Sequence, residues 1–75
     1  MTILPSTALI VLPTIIDRAG KYITRGGESV VIEKVSIGQN FGCRGFYSDG
    51  IQEGWHKSGR LYFGQQSKND IVRAA

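Results

Sequence analysis

The fold is decided by residues 21–35, K-Y-I-T-R-G-G-E-S-V-V-I-E-K-V, which predict a β-hairpin. The adjacent glycines Gly26 and Gly27 can adopt the positive φ angles that a tight hairpin turn requires. A short strand, Lys21–Thr24, precedes this turn, and the longest strand candidate, Glu28–Ile37, follows it. The second strand is rich in β-branched residues, which pack well on a pleated sheet. The hairpin therefore begins an antiparallel sheet.

Short apolar runs separated by glycine-containing turns continue downstream of the hairpin. Two further strands are predicted at Phe41–Tyr47 and Ile51–His56, on either side of a turn at Ser48–Gly50. A turn at Lys57–Gly59 then leads to a final short strand, Arg60–Phe63. The pattern is typical of all-β proteins. The sequence predicts a mainly β fold, a four- to five-stranded antiparallel meander or a small half-open barrel.

The segments on either side of the meander favour one or two short helical turns. Pro13–Gly20 begins with proline and ends with glycine, the residues preferred at a helix start and at its cap. Near the other end, Ser67 or Asn69 can cap a closing helical turn within residues 65–75.

Residues 1–12 are predicted to form an apolar N-terminal strand or arm. Pro5 and Pro13 enclose the uncharged run Thr7–Leu12, which is typical of a strand buried on both faces. The run is too short to cross a bilayer, and no basic residue precedes it as in an export signal. We expect Ala8–Leu12 to be covered either by its own domain or by a second copy of the chain in a homodimer.

Size and residue usage argue against catalysis and cofactors. With 75 residues, the chain forms a single small domain, residues 1–75, too small for a two-domain enzyme. Cys43 is the one cysteine, which favours a reducing compartment, the bacterial cytoplasm, and a place in the core. His56 is the one histidine, so no Cys/His set can hold a zinc ion, and no suitably spaced nucleophile accompanies it. We therefore expect no enzyme and no cofactor.

Charge and aromatic content leave two kinds of binding partner open. The net charge of +3 and the pI near 9.4 fit a small nucleic-acid-binding module, in which aromatic rings are flanked by lysine and arginine. The basic residues are nevertheless spread evenly along the chain, and a core this small needs the same rings. A protein partner fits uncovered strand edges equally well. The candidate binding residues, with Trp55 also a candidate core anchor, are Arg44, Tyr47, Trp55, His56, Lys57, Arg60 and Tyr62.

Three short motifs carry a resemblance to known proteins: A-G-K-Y-I-T-R-G-G at residues 19–27, W-H-K-S-G-R at residues 55–60 and S-K-N-D-I-V at residues 67–72. On these motifs the chain resembles small β-rich proteins encoded by phages and prophages of enteric bacteria. The resemblance implies an accessory protein of mobile elements with a compact β fold, and it implies no catalytic residue. The first twelve residues depart from the pattern.

The sequence thus predicts a cytoplasmic, non-catalytic phage or prophage accessory protein. It would act as a small protein-binding module whose partner is a bacterial or phage protein. The alternative is a small basic β-barrel module that binds nucleic acid.

Overall fold

A computed structural model describes residues 13–36 and 38–75, whose strands form one five-stranded antiparallel sheet. The order across the sheet is β4-β3-β2-β1-β5, so each of the first three strands pairs with the next and β5 returns beside β1. The sheet is not closed. This arrangement confirms the predicted mainly β meander. The strands are β1 (Gly20–Thr24), β2 (Ser29–Val35), β3 (Cys43–Tyr47), β4 (Gln52–Trp55) and β5 (Ile71–Ala74).

The inner face of the sheet carries the hydrophobic core. Trp55 is completely buried, and its indole Nε1–H donates to the carbonyl of Asn69 at 2.9 Å. Cys43, 2% exposed, lies opposite Trp55 across the β3–β4 pair, which confirms the predicted core position of the thiol. The remaining core side chains are Ile16, Tyr22, Val30, Ile32 and Ile71.

The loop after β4 bridges the two edges of the curled sheet. Gly59 lies against the first residue of β5, where its carbonyl accepts the amide N–H of Ile71 at 2.8 Å. The amide of His56 donates to the carbonyl of Arg60 at 2.9 Å and closes the turn that carries Gly59. The meander is thus held in its curl by loop hydrogen bonds, although its edge strands do not pair with each other.

The predicted helical turns do not form in the described residues, because tertiary contacts are stronger than local capping preferences. Residues 13–19 have irregular structure, and the amides of Ile15 and Ile16 both donate to the carbonyl of Lys57 at 2.8 Å. Ile16 is only 1% exposed, so this segment is fixed by burial rather than by a helix. At the other end, residues 71–74 form β5, which pairs with β1.

The predicted strand Arg60–Phe63 is also wrong, since these residues form bends and the start of a turn. The amide of Leu61 donates to Oδ1 of Asp70 at 3.0 Å instead of to a neighbouring strand. The arm at Ala8–Leu12, with its predicted dimer contact, lies outside the described residues, as does Ile37 at the end of the predicted second strand. The described residues include no helix long and apolar enough to cross a membrane.

Candidate functional site

The strands bring a set of basic and apolar side chains together on the face of the sheet opposite the core. Directly opposed residues of antiparallel strands point to the same face. One row crosses four strands through Lys21, Val31, Phe46 and Gln52. A second row pairs Arg73 with Ile23, and a third pairs Lys34 with Arg44. We call this surface the outer face, defined by Lys21, Ile23, Val31, Lys34, Arg44, Phe46, Gln52 and Arg73.

A β-bulge places Lys34 on the outer face. Ile32 pairs with Gly45, but Lys34 pairs with Arg44, so Glu33 is an additional residue between the two pairs. A one-residue shift moves every following side chain to the opposite face of the sheet. The bulge therefore sets Lys34 beside Arg44 and turns Val35 towards the core, against which it packs.

Positive charge is concentrated on the outer face. The five strands contain four basic residues, Lys21, Lys34, Arg44 and Arg73, and all four are exposed there. Their acidic residues are Glu33 at the bulge and Glu53, which lies opposite Gly45 and accepts the Tyr47 hydroxyl. The ion pairs between described residues are Arg18–Asp17 and Arg25–Asp70, so none neutralises a basic residue of this face.

The centre of the outer face is apolar. Val31 is 42% exposed between Lys21 and Phe46, and Ile23 and Phe46 are half-buried. The surface thus combines an apolar centre with a rim of cations that lack carboxylate partners among the described residues. Of the residues predicted to bind, Arg44 alone belongs to it.

Trp55 and Tyr47 are held inside the fold and do not form an exposed binding patch. The two rings pack edge to face with centroids 5.4 Å apart. The Tyr47 hydroxyl donates to Oε1 of Glu53 at 3.3 Å. Burial, followed by the nearby Glu53 carboxylate, raises the pKa of Tyr47 to about 12. Trp55, with no exposed surface, serves as the core anchor that its strand position also allowed, and its predicted binding role is wrong.

The candidate binding residues in the loop after β4 lie in separate parts of the structure and do not form one site. His56 packs in an aromatic cluster with Phe41 and Phe63, with ring centroids 5.0 to 5.7 Å apart. Phe63 is 56% exposed, and its neighbour Tyr62 is 53% exposed. Lys57 lines one cavity and Arg60 another. The backbone of the aromatic cluster approaches the outer face at Phe41, because the carbonyl oxygen of Phe41 would lie 3.4 Å from a Cβ built on Gly54, the residue opposite Arg44.

His56 and Ser58 form a local turn contact. Nδ1 of His56 accepts the backbone N–H of Ser58 at 3.1 Å and lies 2.8 Å from its Oγ. Because Nδ1 acts as an acceptor, the neutral ring carries its proton on Nε2. Ser58 is 7% exposed, and no carboxylate among the described residues bonds the ring, so the contact lacks the third group that orients a catalytic base. Burial, then the charge of Lys57, lowers the pKa of His56 below its ordinary value of 6.5.

We expect the protein to lose stability as the pH falls through 6.5, the ordinary pKa of histidine. The pKa of His56 is lower in the folded state, so the unfolded chain binds the proton first. The His56 contribution is complete above 6.5, decreases as the pH falls towards the folded-state pKa and then levels off. Urea unfolding at about pH 7.5 and about pH 5.5 measures this change. The His56→Gln variant should show a smaller change, and an identical one would contradict the assignment to His56.

No metal or nucleophilic centre is assembled in the described part of the chain. Within residues 13–36 and 38–75, no three His, Cys, Asp or Glu side chains form a group that could hold a metal ion. Burial raises the pKa of the Cys43 thiol, which keeps it protonated and unreactive.

Seven residues of the outer face were not predicted as binding residues: Lys21, Ile23, Val31, Lys34, Phe46, Gln52 and Arg73. Even alternation along the second strand would place Lys34 on the same face as Ile32, and only the bulge separates them. Arg73 reaches this face because the chain end is a strand rather than a helical turn. Comparisons with protein-family models, with curated proteins and with solved structures gave no match to this chain.

Proposed function

We propose that this protein is a non-catalytic binding module that recognises an acidic protein through its outer face. The observation that carries the proposal is the apolar centre of Ile23, Val31 and Phe46 inside a rim of four basic groups that form no ion pair with the described residues. Protein interfaces have this anatomy, with a desolvated apolar centre and a polar rim that sets orientation and association rate. A partner with complementary carboxylates around an apolar patch fits the surface.

The nature of the apolar centre favours a protein over a nucleic acid. Single-stranded nucleic acids bind on exposed aromatic faces, against which the bases stack. Here the centre consists of two β-branched aliphatic side chains and one half-buried phenylalanine. Aliphatic side chains pack well against the side chains of another protein but offer no ring for stacking.

The three motifs in residues 19–27, 55–60 and 67–72 support a phage or prophage accessory protein as the setting of this module. The buried single thiol supports a cytoplasmic location in the bacterial host. The partner is then a bacterial or phage protein with an acidic surface. Homodimerisation through Ala8–Leu12 stays a prediction beside this proposal.

A nucleic-acid-binding module is the second candidate, favoured by the aromatic cluster. Phe63 and Tyr62 are exposed rings next to each other, and the backbone of the cluster approaches the row that contains Lys34 and Arg44. A single strand could stack on these rings while its phosphates contact the cations. This candidate predicts that replacing Phe63 weakens binding as strongly as reversing the charge of Arg44.

A charge-reversal pair tests the proposal. Lys34→Glu combined with Arg44→Glu should reduce binding by ~10-fold or more, because like charges brought together across an interface cost several kcal/mol. Arg18→Glu combined with Lys68→Glu changes the net charge equally, but at exposed positions outside the outer face, and should keep binding. Each protein is used to capture partners from lysate of phage-infected bacteria, and the bound protein is quantified.

Equal capture by the two double variants would contradict a role of the outer face. Loss of the captured material after nuclease treatment, with binding that depends on Phe63, would instead support the nucleic-acid candidate. Both variants should unfold at nearly the same urea concentration as the parent protein, since exposed substitutions have small effects on stability.

A further inference from the structure

A second cavity, separate from the outer face, is lined by two arginines from different parts of the chain. Arg25 comes from the β1–β2 turn, and Arg60 comes from the loop between β4 and β5. The cavity has a volume of about 240 Å³. Its other polar lining residues are Ser58 and Asp70, and its apolar wall includes Pro13, Ile15 and Val72. None of these residues belongs to the outer face.

Asp70 is already occupied by protein donors. Its Oδ1 accepts the amide of Leu61 at 3.0 Å, and its Oδ2 accepts the amide of Ser67 at 2.9 Å and Nη2 of Arg25 at 3.3 Å. The carboxylate is 1% exposed, and its charge is balanced by the ion pair with Arg25. A negatively charged ligand would therefore meet a compensated carboxylate rather than a free one.

The guanidinium of Arg60 is left without a protein partner. Among the residues that the structure describes, it makes no hydrogen bond and no ion pair. No buried side-chain nitrogen lacks a partner, so its donors face accessible space. Its backbone is fixed on both sides, because its carbonyl accepts the amide of His56 and the next amide is bound to Asp70. Arg60 is thus a cation on a fixed backbone, with unused donors.

Arg25 also has donors to spare. Its Nε donates to the carbonyl of Ser67 at 3.3 Å and its Nη2 to Asp70, which uses two of the five guanidinium N–H groups. Its backbone amide is fixed to the carbonyl of Asp70 at 2.7 Å. Arg25, whose guanidinium is held by hydrogen bonds, and Arg60, whose backbone is held, therefore line one cavity with a net positive charge, and the apolar wall strengthens their attraction for an anion.

We propose that this cavity binds a phosphoryl group between Arg25 and Arg60. A guanidinium donates two parallel hydrogen bonds to a pair of oxygens, and a tetrahedral phosphate presents such pairs in several planes. A phosphate can therefore engage two guanidinium groups that approach from different loops, whereas a planar carboxylate presents only one pair of oxygens. The cavity is smaller than the ~300–1,000 Å³ of drug-sized ligand sites, so it accommodates one small charged group.

Inorganic phosphate is the probe for this site. The arginine Nε–H signals of ¹⁵N-labelled protein are followed during a phosphate titration, with sodium chloride at the same ionic strength as the blank. The signals of Arg25 and Arg60 should shift together and reach saturation, and the signal of Arg44 on the outer face should not. Sodium acetate should bind more weakly than phosphate.

Arg60→Gln is the decisive variant, because the arginine side chain it replaces makes no hydrogen bond or ion pair with the described residues. Phosphate affinity, read from the Arg25 signal, should fall ~10-fold or more with the loss of a charge-assisted pair of hydrogen bonds. Arg60→Lys should lose less affinity, and Arg44→Gln should lose none. Linear shifts of all arginine signals would mean an adventitious ion only, and acetate binding as tight as phosphate would overturn the phosphoryl assignment.

Discussion

Replacement of Gly59 by alanine is expected to remove most of the stability of the folded protein. Gly59 has a φ of +88°, in the left-handed region that side chains rarely adopt. A Cβ at this position would overlap the carbonyl oxygen of Ile71, which belongs to the backbone of β5 and cannot rotate away. The change would also disturb the hydrogen bond from Ile71 to Gly59. We expect a loss of ~3 kcal/mol or more, against a total of ~3–5 kcal/mol for a domain of this size.

Gly50 provides the matched control for this prediction. It has the same φ of +88°, but a Cβ there would meet no atom within 4 Å. Gly50→Ala therefore measures the cost of the backbone conformation alone, ~1–2 kcal/mol. Urea unfolding followed by Trp55 fluorescence measures both variants. If the two substitutions cost the same, Gly59 does not hold the loop against β5 as described.

Replacement of Asp70 by alanine should be nearly as harmful. Asp70 is 1% exposed and accepts the amides of Leu61 and Ser67 together with the Arg25 guanidinium. Its removal leaves two part-buried N–H groups without their acceptor, and each such loss costs ~1–3 kcal/mol. The lost ion pair with Arg25 should add little to this cost, since the Arg25 side chain is 40% exposed and water can solvate it. The expected loss is ~3 kcal/mol in the free energy of unfolding.

Asp49→Ala is the matched control for Asp70→Ala. Asp49 is exposed and accepts a single amide, that of Ile51, at 3.0 Å. Its loss should cost ~1 kcal/mol or less, because water replaces the carboxylate. Asp70→Asn should lie between the two alanine variants, since one oxygen acceptor remains. Similar losses for Asp70→Ala and Asp49→Ala in urea unfolding would show that Asp70 does not organise the loop.

The central hairpin was predictable because its information is local. Gly26 and Gly27 mark the turn, and the β-branched residues on its second arm belong to the strand that they predict. The register of β1 with β2 then follows from a short turn, as Ile23 opposite Ser29 shows. The third and fourth strands were found for the same reason.

The last strand could not be found this way, because its partner lies far away in the sequence. Ile71 pairs with Thr24, and Arg73 pairs with Ile23. Locally, the polar residues Ser67, Asn69 and Asp70 fit a helix start, and nothing near residue 71 indicates β1. The same limit applies to Ile15 and Ile16, whose amides are bound by the distant carbonyl of Lys57.

The candidate site was only partly predictable, because it depends on which face each side chain occupies. Arg44 was identified by its residue type. Trp55 was assigned to binding by its residue type and to the core by its position in the predicted strand. The bulge at Glu33 decides the position of Lys34, and its presence is a property of the β2–β3 pairing rather than of β2 itself. An even distribution of charge along the chain thus becomes an uneven distribution in space.

Photo-crosslinking from the centre of the outer face tests the proposed binding surface most directly. A benzoylphenylalanine at Val31, which is 42% exposed between Lys21 and Phe46, is compared with one at Ile51, which is 61% exposed outside that face. In lysate of phage-infected bacteria, the probe at Val31 should form a discrete crosslink to an acidic protein, and Lys34→Glu with Arg44→Glu should abolish it. A crosslink from Ile51 but not from Val31 would contradict the assignment of the outer face as the binding surface.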